Sequence, residues 1–237
     1  MEKVLELRNK ALKVLSDKLS GFYLGGGTAL TLYYFNHRES YDLDFFTKEF
    51  DEKKIEDLIS HVSEKLGIKA TLAGRQNSKK KAKILIYQFP VDSEKSFKID
   101  FIEDQFVLLN SPLSIEGIQV LSKDDIYLRK IYAICGSCQL ENPAGRKVFV
   151  GGRQEAKDFF DLYYLSKTYV PLSKFAEKFC KVIEKESLIL WYRTYDRNTI
   201  KMDLLDIITD KPIDYREMDR HFKKEIELII KTEVGEL

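Results

Sequence analysis

The chain is poor in the features that would place a sequence in a class at sight. Cysteine is scarce: Cys135, Cys138 and Cys180 are too few for a disulfide framework. Cys135-Gly136-Ser137-Cys138 has CxxC spacing, but no second CxxC and no nearby histidine accompany it, which argues against a metal knuckle. No βαβ pattern surrounds it as a redox pair would require, so it reads as two thiols at a helix end in a reducing compartment. An excess of one charge is also missing. Lys and Arg total 39 against 38 Asp and Glu, a net charge of +1, so overall charge points to no polyanionic partner and only a local patch could bind one. Long apolar runs are absent. The amphipathic start, "MEKVLELRNKALKVL", is neither a signal peptide nor a membrane span, which makes the cytoplasm the expected compartment and leaves no membrane partner. There is no internal repeat, no GK[ST] P-loop and no GxGxxG turn.

What is present is an ordinary globular composition, 44% apolar and 32% charged over 237 residues, with 13 Tyr and 15 Phe. That length buries a real core in one large domain or two small ones. Apolar spacing predicts a helix over Lys3–Leu19 and a strand at Phe22–Leu24 entering the turn Gly25-Gly26-Gly27. A helix is expected to open at Thr28, followed by a strand at Asp42–Phe46 and a helix over "DEKKIEDLISHVSEKLG" closed by Gly67. Strands follow in "KATLAG", "AKILIYQF", "FKIDFIE" and "IQVLS". From Ser122 the pattern becomes helical: "SKDDIYLRKIYAI", a Gly- and Pro-containing loop "ENPAGRKVFVGG", then "RQEAKDFFDLYYLSKTY", "LSKFAEKFCKVIEK" and "REMDRHFKKEIELIIKTE". The expected fold is α+β: a mixed sheet with flanking helices in residues 1–121, then a mainly helical domain in residues 122–237.

Chemistry concentrates in "YLGGGTALTLYYFNHRESYDLDFF". A glycine turn between strand and helix lets backbone approach a ligand closely, and the following helix N-terminus favours an anion, so the turn reads as a phosphate seat. Thr28 reads either as a hydroxyl donor to that ligand or as the helix cap. Asp42 and Asp44 lie two apart on a strand and so share a face, where their mutual repulsion calls for a cation; Mg²⁺ suits carboxylate oxygens and substrate phosphates. Asp100, inside the apolar run "KIDFI", also needs a partner, either that metal or Lys98 two residues back. The competing account of Asp42 and Asp44 is an exposed acidic strand end.

Gly-Gly-Thr, a short helix, Asp-x-Asp and a later strand aspartate resemble the DNA polymerase β-like nucleotidyltransferase superfamily. More closely, "GGTAL" and "HRESYDLDFF" resemble the AbiEii/AbiGii toxin nucleotidyltransferases, as do "LRKIYAI" with Lys130 and "GGRQEAKDFFDLYYL" with Arg153, Lys157, Asp158 and Asp161. The spacing from Gly27 to Asp42 is slightly longer than the generic pattern, and taking Gly27-Thr28 as the glycine–hydroxyl pair restores it. The resemblance implies transfer of an NMP from an NTP to an acceptor, RNA such as tRNA, by the toxin of a toxin–antitoxin pair. It implies that Gly26, Gly27, Thr28 and Lys130 bind the nucleotide, that Asp42, Asp44 and Asp100 hold two Mg²⁺ ions, and that Asp158, rather than Asp161, is the further catalytic carboxylate. Arg153, Lys157 and Asp161 are expected on one helix face, with i,i+4 ion pairing as the plain alternative. His37 is expected to close the turn before the Asp-x-Asp strand, and Arg38 to pair with Glu39 or substrate. "SKKKAK" and Arg75 could meet RNA or form a solvated hairpin turn. Transfer to a small molecule or protein, and an inert nucleotidyltransferase-like binding domain, are the alternatives.

Overall fold

The computed structural model describes residues 1–78, 81–141, 145 and 147–235; Lys79 and Lys80 of the lysine run lie outside the described residues, as does the Cys138 side chain. The chain divides into two compact units, Met1–Ile126 and Tyr127–Leu237. No helix among the described residues is long and apolar enough to cross a membrane.

The first unit is a mixed sheet with helices. Helix α1 (Glu2–Leu15) buries Val4, Arg8, Ala11, Leu12 and Leu15, so an arginine sits on its apolar stripe, and it ends before the expected Leu19. Helix α3 (Glu52–Leu66) starts where the Asp51 carboxylate caps Lys53 N and Lys54 N, and stops at Gly67 in the left-handed region. The strands are β1 (Phe22–Leu24), β2 (Leu43–Thr47), β3 (Thr71–Gln76), β4 (Ile84–Pro90), β5 (Ser96–Glu103), β6 (Leu113–Ile115) and β7 (Ile118–Val120). They form one sheet in the order β3-β4-β5-β2-β1-β7-β6. Strand β6 is not anticipated by the sequence: three residues are too few to show alternation, and its hairpin with β7 turns through Glu116 and Gly117.

Alternation along the central strands separates two faces. Leu43 and Phe45 of β2, Leu85, Tyr87 and Phe89 of β4, and Phe97, Ile99 and Phe101 of β5 are buried. Phe22 meets Phe101 edge-on with ring centroids 5.4 Å apart, and Phe45 stacks on Phe101 at 5.7 Å. Helix α1 packs on α3 and β5, and the apolar stripes of the two helices complete this core. The opposite face carries Asp44, Phe46, Ile84, Ile86, Asp100 and Ile102, all half-buried.

The second unit is mainly helical. Helix α4 (Lys123–Cys135) runs into it; at its start Ser122 Oγ accepts from Asp125 N at 3.1 Å and donates to Asp125 Oδ2 at 2.6 Å, which opens the helix expected from "SKDDIYLRKIYAI". The segment expected to be a loop instead holds β9 (Lys147–Gly151), which pairs antiparallel with β8 (Gly136–Glu141) just before it. Its glycines obscured the strand signal, and Gly136 and Gly151 are opposite one another at its base with positive φ. Helices α5 (Ala156–Thr168), α6 (Leu172–Phe179), α7 (Val182–Thr194), α8 (Arg197–Asp203) and α9 (Tyr215–Glu233) follow. One expected helix is divided into α6 and α7, because Cys180 is extended. Phe159, Trp191, Tyr195 and Phe222 build an aromatic core, with Trp191 and Phe222 edge-to-face at 5.3 Å.

Candidate active site

The glycine turn is shaped around the second aspartate of the Asp-x-Asp pair. Gly25 is extended, and its N–H donates to the Asp44 carbonyl at 2.9 Å. Gly26 has φ +67, and a Cβ there would lie 1.9 Å from Asp44 Oδ2. The Asp44 carboxylate therefore rests against the Gly26 backbone, in a space only glycine leaves open. Helix α2 (Gly26–Ala29) begins at Gly26 rather than at Thr28, and continues as a wider π-helical segment over Leu30–Phe35 that Asn36 ends in the left-handed region.

Thr28 is not the cap, since Gly25 occupies that position without a side-chain bond. It is fully buried, its hydroxyl donates to the Asp42 carbonyl, and Ser40 Oγ lies 2.8 Å away. The threonine thus ties α2 to the segment entering β2.

Strand pairing decides which carboxylates meet. β2 and β5 are parallel, with Asp44 opposite Asp100 and Leu43 opposite Ile99. Asp44 and Asp100 are therefore neighbours on the half-buried face, and Ile86 of β4 is the next residue across. Asp42 lies just ahead of β2 and is directed to the backbone, its Oδ1 accepting from Lys98 N at 3.1 Å. Lys98 itself is exposed, on the same face of β5 as Asp100. Among the described residues, no group of three or more His, Cys, Asp or Glu is arranged to hold a metal ion. The adjacent pair fits a hard cation by its chemistry, because Asp44 and Asp100 offer carboxylate oxygens alone.

Buried polar groups hold the approach to β2. Thr31 Oγ1 donates to the Arg38 carbonyl at 3.0 Å, and Arg38 Nη1 donates to the Glu39 carbonyl at 2.8 Å. His37 is fully buried beside Phe35, their rings edge-on at 6.0 Å, as expected of a residue that shapes the turn. Arg75 pairs with Glu52 at 3.3 Å.

In the second unit Lys130, Asp158 and Asp161 come together. Lys130 Nζ is 2.6 Å from Asp158 Oδ1 and 2.7 Å from Asp161 Oδ2; the lysine side chain is 7% exposed and both aspartates 0%. Arg153 adds a second cation, with Nε 2.5 Å from Asp158 Oδ2 and Nη2 3.2 Å from Oδ1. Glu155 Oε1, 3.7 Å from Arg153 Nε, adds a more exposed carboxylate at the edge of the cluster. Burial alone would raise the Asp158 pKa, but Lys130 and then Arg153 outweigh it and hold the carboxyl below its usual range. The expected helical face of Arg153, Lys157 and Asp161 is not formed: α5 begins at Ala156, Arg153 precedes it, and Lys157 pairs with Glu155 at 3.1 Å. Glu155, extended at the N-cap, turns the incoming chain so that Arg153 reaches Asp158 from outside the helix.

A profile of the family described as "Nucleotidyl transferase AbiEii toxin, Type IV TA system" matches residues 10–232. The chain belongs to this AbiEii family. An uncharacterised protein of Aquifex aeolicus is 29% identical over 241 residues, covering 100% of this chain and 98% of that protein. Among solved structures, JHP933 from Helicobacter pylori superposes with a TM-score of 0.60 at 20% identity, over 98% of this chain and 94% of its own. MenT4, a nucleotidyltransferase toxin of Mycobacterium tuberculosis, gives 0.50 at 11% identity, over 96% of this chain and 84% of its own. At those identities the two structures share the fold.

Sequence reasoning missed Arg8, a buried side chain that donates to the Ser40 carbonyl. The available signal was a charge on the apolar stripe of an amphipathic helix, four residues from both Val4 and Leu12. Asp104 was missed too: it is buried, bonded to the Tyr23 hydroxyl, and 3.2 Å from Lys48 Nζ.

Proposed function

We infer that this AbiEii protein moves an NMP from an NTP to an acceptor hydroxyl on RNA, as the toxin of a toxin–antitoxin pair. The observation that carries this reading is the side-by-side placement of Asp44 and Asp100, with Asp44 set against Gly26. Two carboxylates set side by side suit a site that a cation or a charged substrate uses.

In the reaction, the acceptor oxygen forms a bond to the α-phosphorus, the α–β phosphoanhydride bond breaks, and pyrophosphate leaves. Asp100 takes the acceptor proton. Asp44, Asp100 and the remaining oxygen of Asp42 would hold Mg²⁺, which supplies neutralisation of the triphosphate charge. The backbone at Gly26 and Gly27 contacts the terminal phosphates, and Thr28 keeps Asp42 in place. Lys130, expected to serve the nucleotide, is held within the helical unit between Asp158 and Asp161, which orient it. Positioning and electrostatics, rather than covalent catalysis, carry such a reaction.

The test is label transfer. The protein is incubated with Mg²⁺, each α-labelled NTP in turn, and total bacterial RNA, beside Asp44→Ala. Label on RNA with the parent protein alone is the expected result and names the nucleotide. Nucleotide binding without RNA labelling directs the search to a small-molecule or protein acceptor. No nucleotide binding refutes the catalytic reading.

A further inference from the structure

Arg8 is an unusual side chain for its place. It lies on the apolar stripe of α1, 3% exposed, between Val4 and Leu12. A guanidinium there gives up most of its hydration and must find acceptors in the fold. It finds the Ser40 carbonyl through Nη1 and Asn9 Oδ1 through Nη2, the latter at 2.6 Å. Ser40 is the point that matters. Its hydroxyl is 2.8 Å from Thr28 Oγ1, and Thr28 donates to the carbonyl of Asp42. From Asp42 the carboxylate continues to Lys98 N on β5 at 3.1 Å. A chain of polar contacts therefore joins α1 to the glycine-turn helix, to the segment entering β2, and to the strand that carries Asp100.

Two details set this apart from incidental burial. The long-range hydrogen bond of the arginine runs to backbone, so what it fixes is the path of the main chain. That path is the short approach from Ser40 to Asp42, which belongs to no strand and has no ladder to hold it. The same approach is gripped from the other side by Thr28, so Ser40 and Asp42 are clamped between two elements.

We propose that Arg8 is a positioning residue for the Asp-x-Asp segment, holding Ser40 so that Asp42 and Asp44 are presented in a fixed orientation to nucleotide and cation. The proposal rests on the nucleotidyltransferase reading above for its effect on turnover, and on the structure alone for its effect on the segment.

Two measurements test it on the full chain. Arg8→Met keeps most of the aliphatic volume and removes the donors; Arg8→Lys keeps one charged donor. Val4→Ala, on the same stripe of α1 and remote from Ser40 in the bonding scheme, reports simple loss of helix packing. Hydrogen exchange at amides 40–44 is followed without substrate. Faster exchange there by at least tenfold in Arg8→Met, but not in Val4→Ala, is the expected result. Equal exchange in the two variants overturns the proposal whatever the activity proves to be. In label transfer, kcat in Arg8→Met is expected to fall at least tenfold with the KM for NTP changed less than threefold. Arg8→Lys should recover part of the loss, and Val4→Ala should retain the parent kcat well below its Tm. Parent-like kcat in Arg8→Met, or an equal fall in Val4→Ala, refutes positioning. A parent protein with no transfer at all refutes the nucleotidyltransferase reading instead, and leaves the exchange measurement to decide on Arg8.

Discussion

Replacing Asp161 by alanine gives the sharpest test of the buried charge cluster. In the parent protein Lys130 Nζ sits 2.6 Å from Asp158 and 2.7 Å from Asp161, and Asp158 is already shared with Arg153. Removing Asp161 takes one of two carboxylates from a lysine that is 7% exposed. Truncating one member of a buried pair costs about 3–5 kcal/mol, because the survivor loses its partner without regaining water. The slight exposure of Lys130 and the retained Asp158 place the expectation near the lower end, about 3 kcal/mol. For a unit of this size that is a fall in Tm on the order of 10–15 °C. Thermal and urea unfolding followed by circular dichroism would read it. A cycle with Lys130→Met isolates the pair: the double variant should recover roughly 2 kcal/mol relative to the sum of the singles. The pH dependence has a definite sign. Asp158 is held below its unfolded value, so its contribution is present above about pH 4 and is lost as pH falls through the lower folded value. The cost of Lys130→Met should therefore shrink between pH 7 and pH 3. A Tm within about 2 °C of the parent for Asp161→Ala, or strict additivity in the cycle, would refute the reasoning. Apolar residues often replace a buried ion cluster without loss of stability, so stability alone gives no reason to keep four charges together here.

Two further substitutions probe the turn. Gly26→Ala combines a positive φ with a Cβ placed 1.9 Å from Asp44 Oδ2, so the carboxylate must move; label transfer should fall at least a hundredfold, while the backbone strain costs only about 1–2 kcal/mol in unfolding. Thr28→Val leaves the Asp42 carbonyl and Ser40 without their hydroxyl partner and should cost about 1–3 kcal/mol, with Thr28→Ser restoring most of it in the same urea titration.

Much of this architecture is legible from local pattern. The alternation in "DLDFF", the capped helix closed by Gly67 and the Ser122–Asp125 cap are set by neighbours in sequence, and they appear where the pattern puts them. What escapes is whatever depends on tertiary pairing. That Asp44 should lie opposite Asp100 follows from a parallel register between strands far apart in the chain, which no local signal encodes. Arg153 shows the same limit from the other direction: its four-residue spacing to Lys157 suggested a shared helical face, yet the N-cap at Glu155 leaves it outside α5. Short β6 and the break at Cys180 failed for lack of length, since a few residues carry no period.

Strand β2 alternates between two masters. Leu43, Phe45 and Thr47 belong to the core, and Asp44 and Phe46 to the other face. A registration error of one residue would drive Asp44 in among Phe22 and Phe101 and turn Phe45 out, a mistake that charge burial and lost aromatic contact both punish. The hydrophobic core thereby proofreads the placement of the aspartate. A chain that folds at all must deliver Asp44 to the side where Asp100 waits.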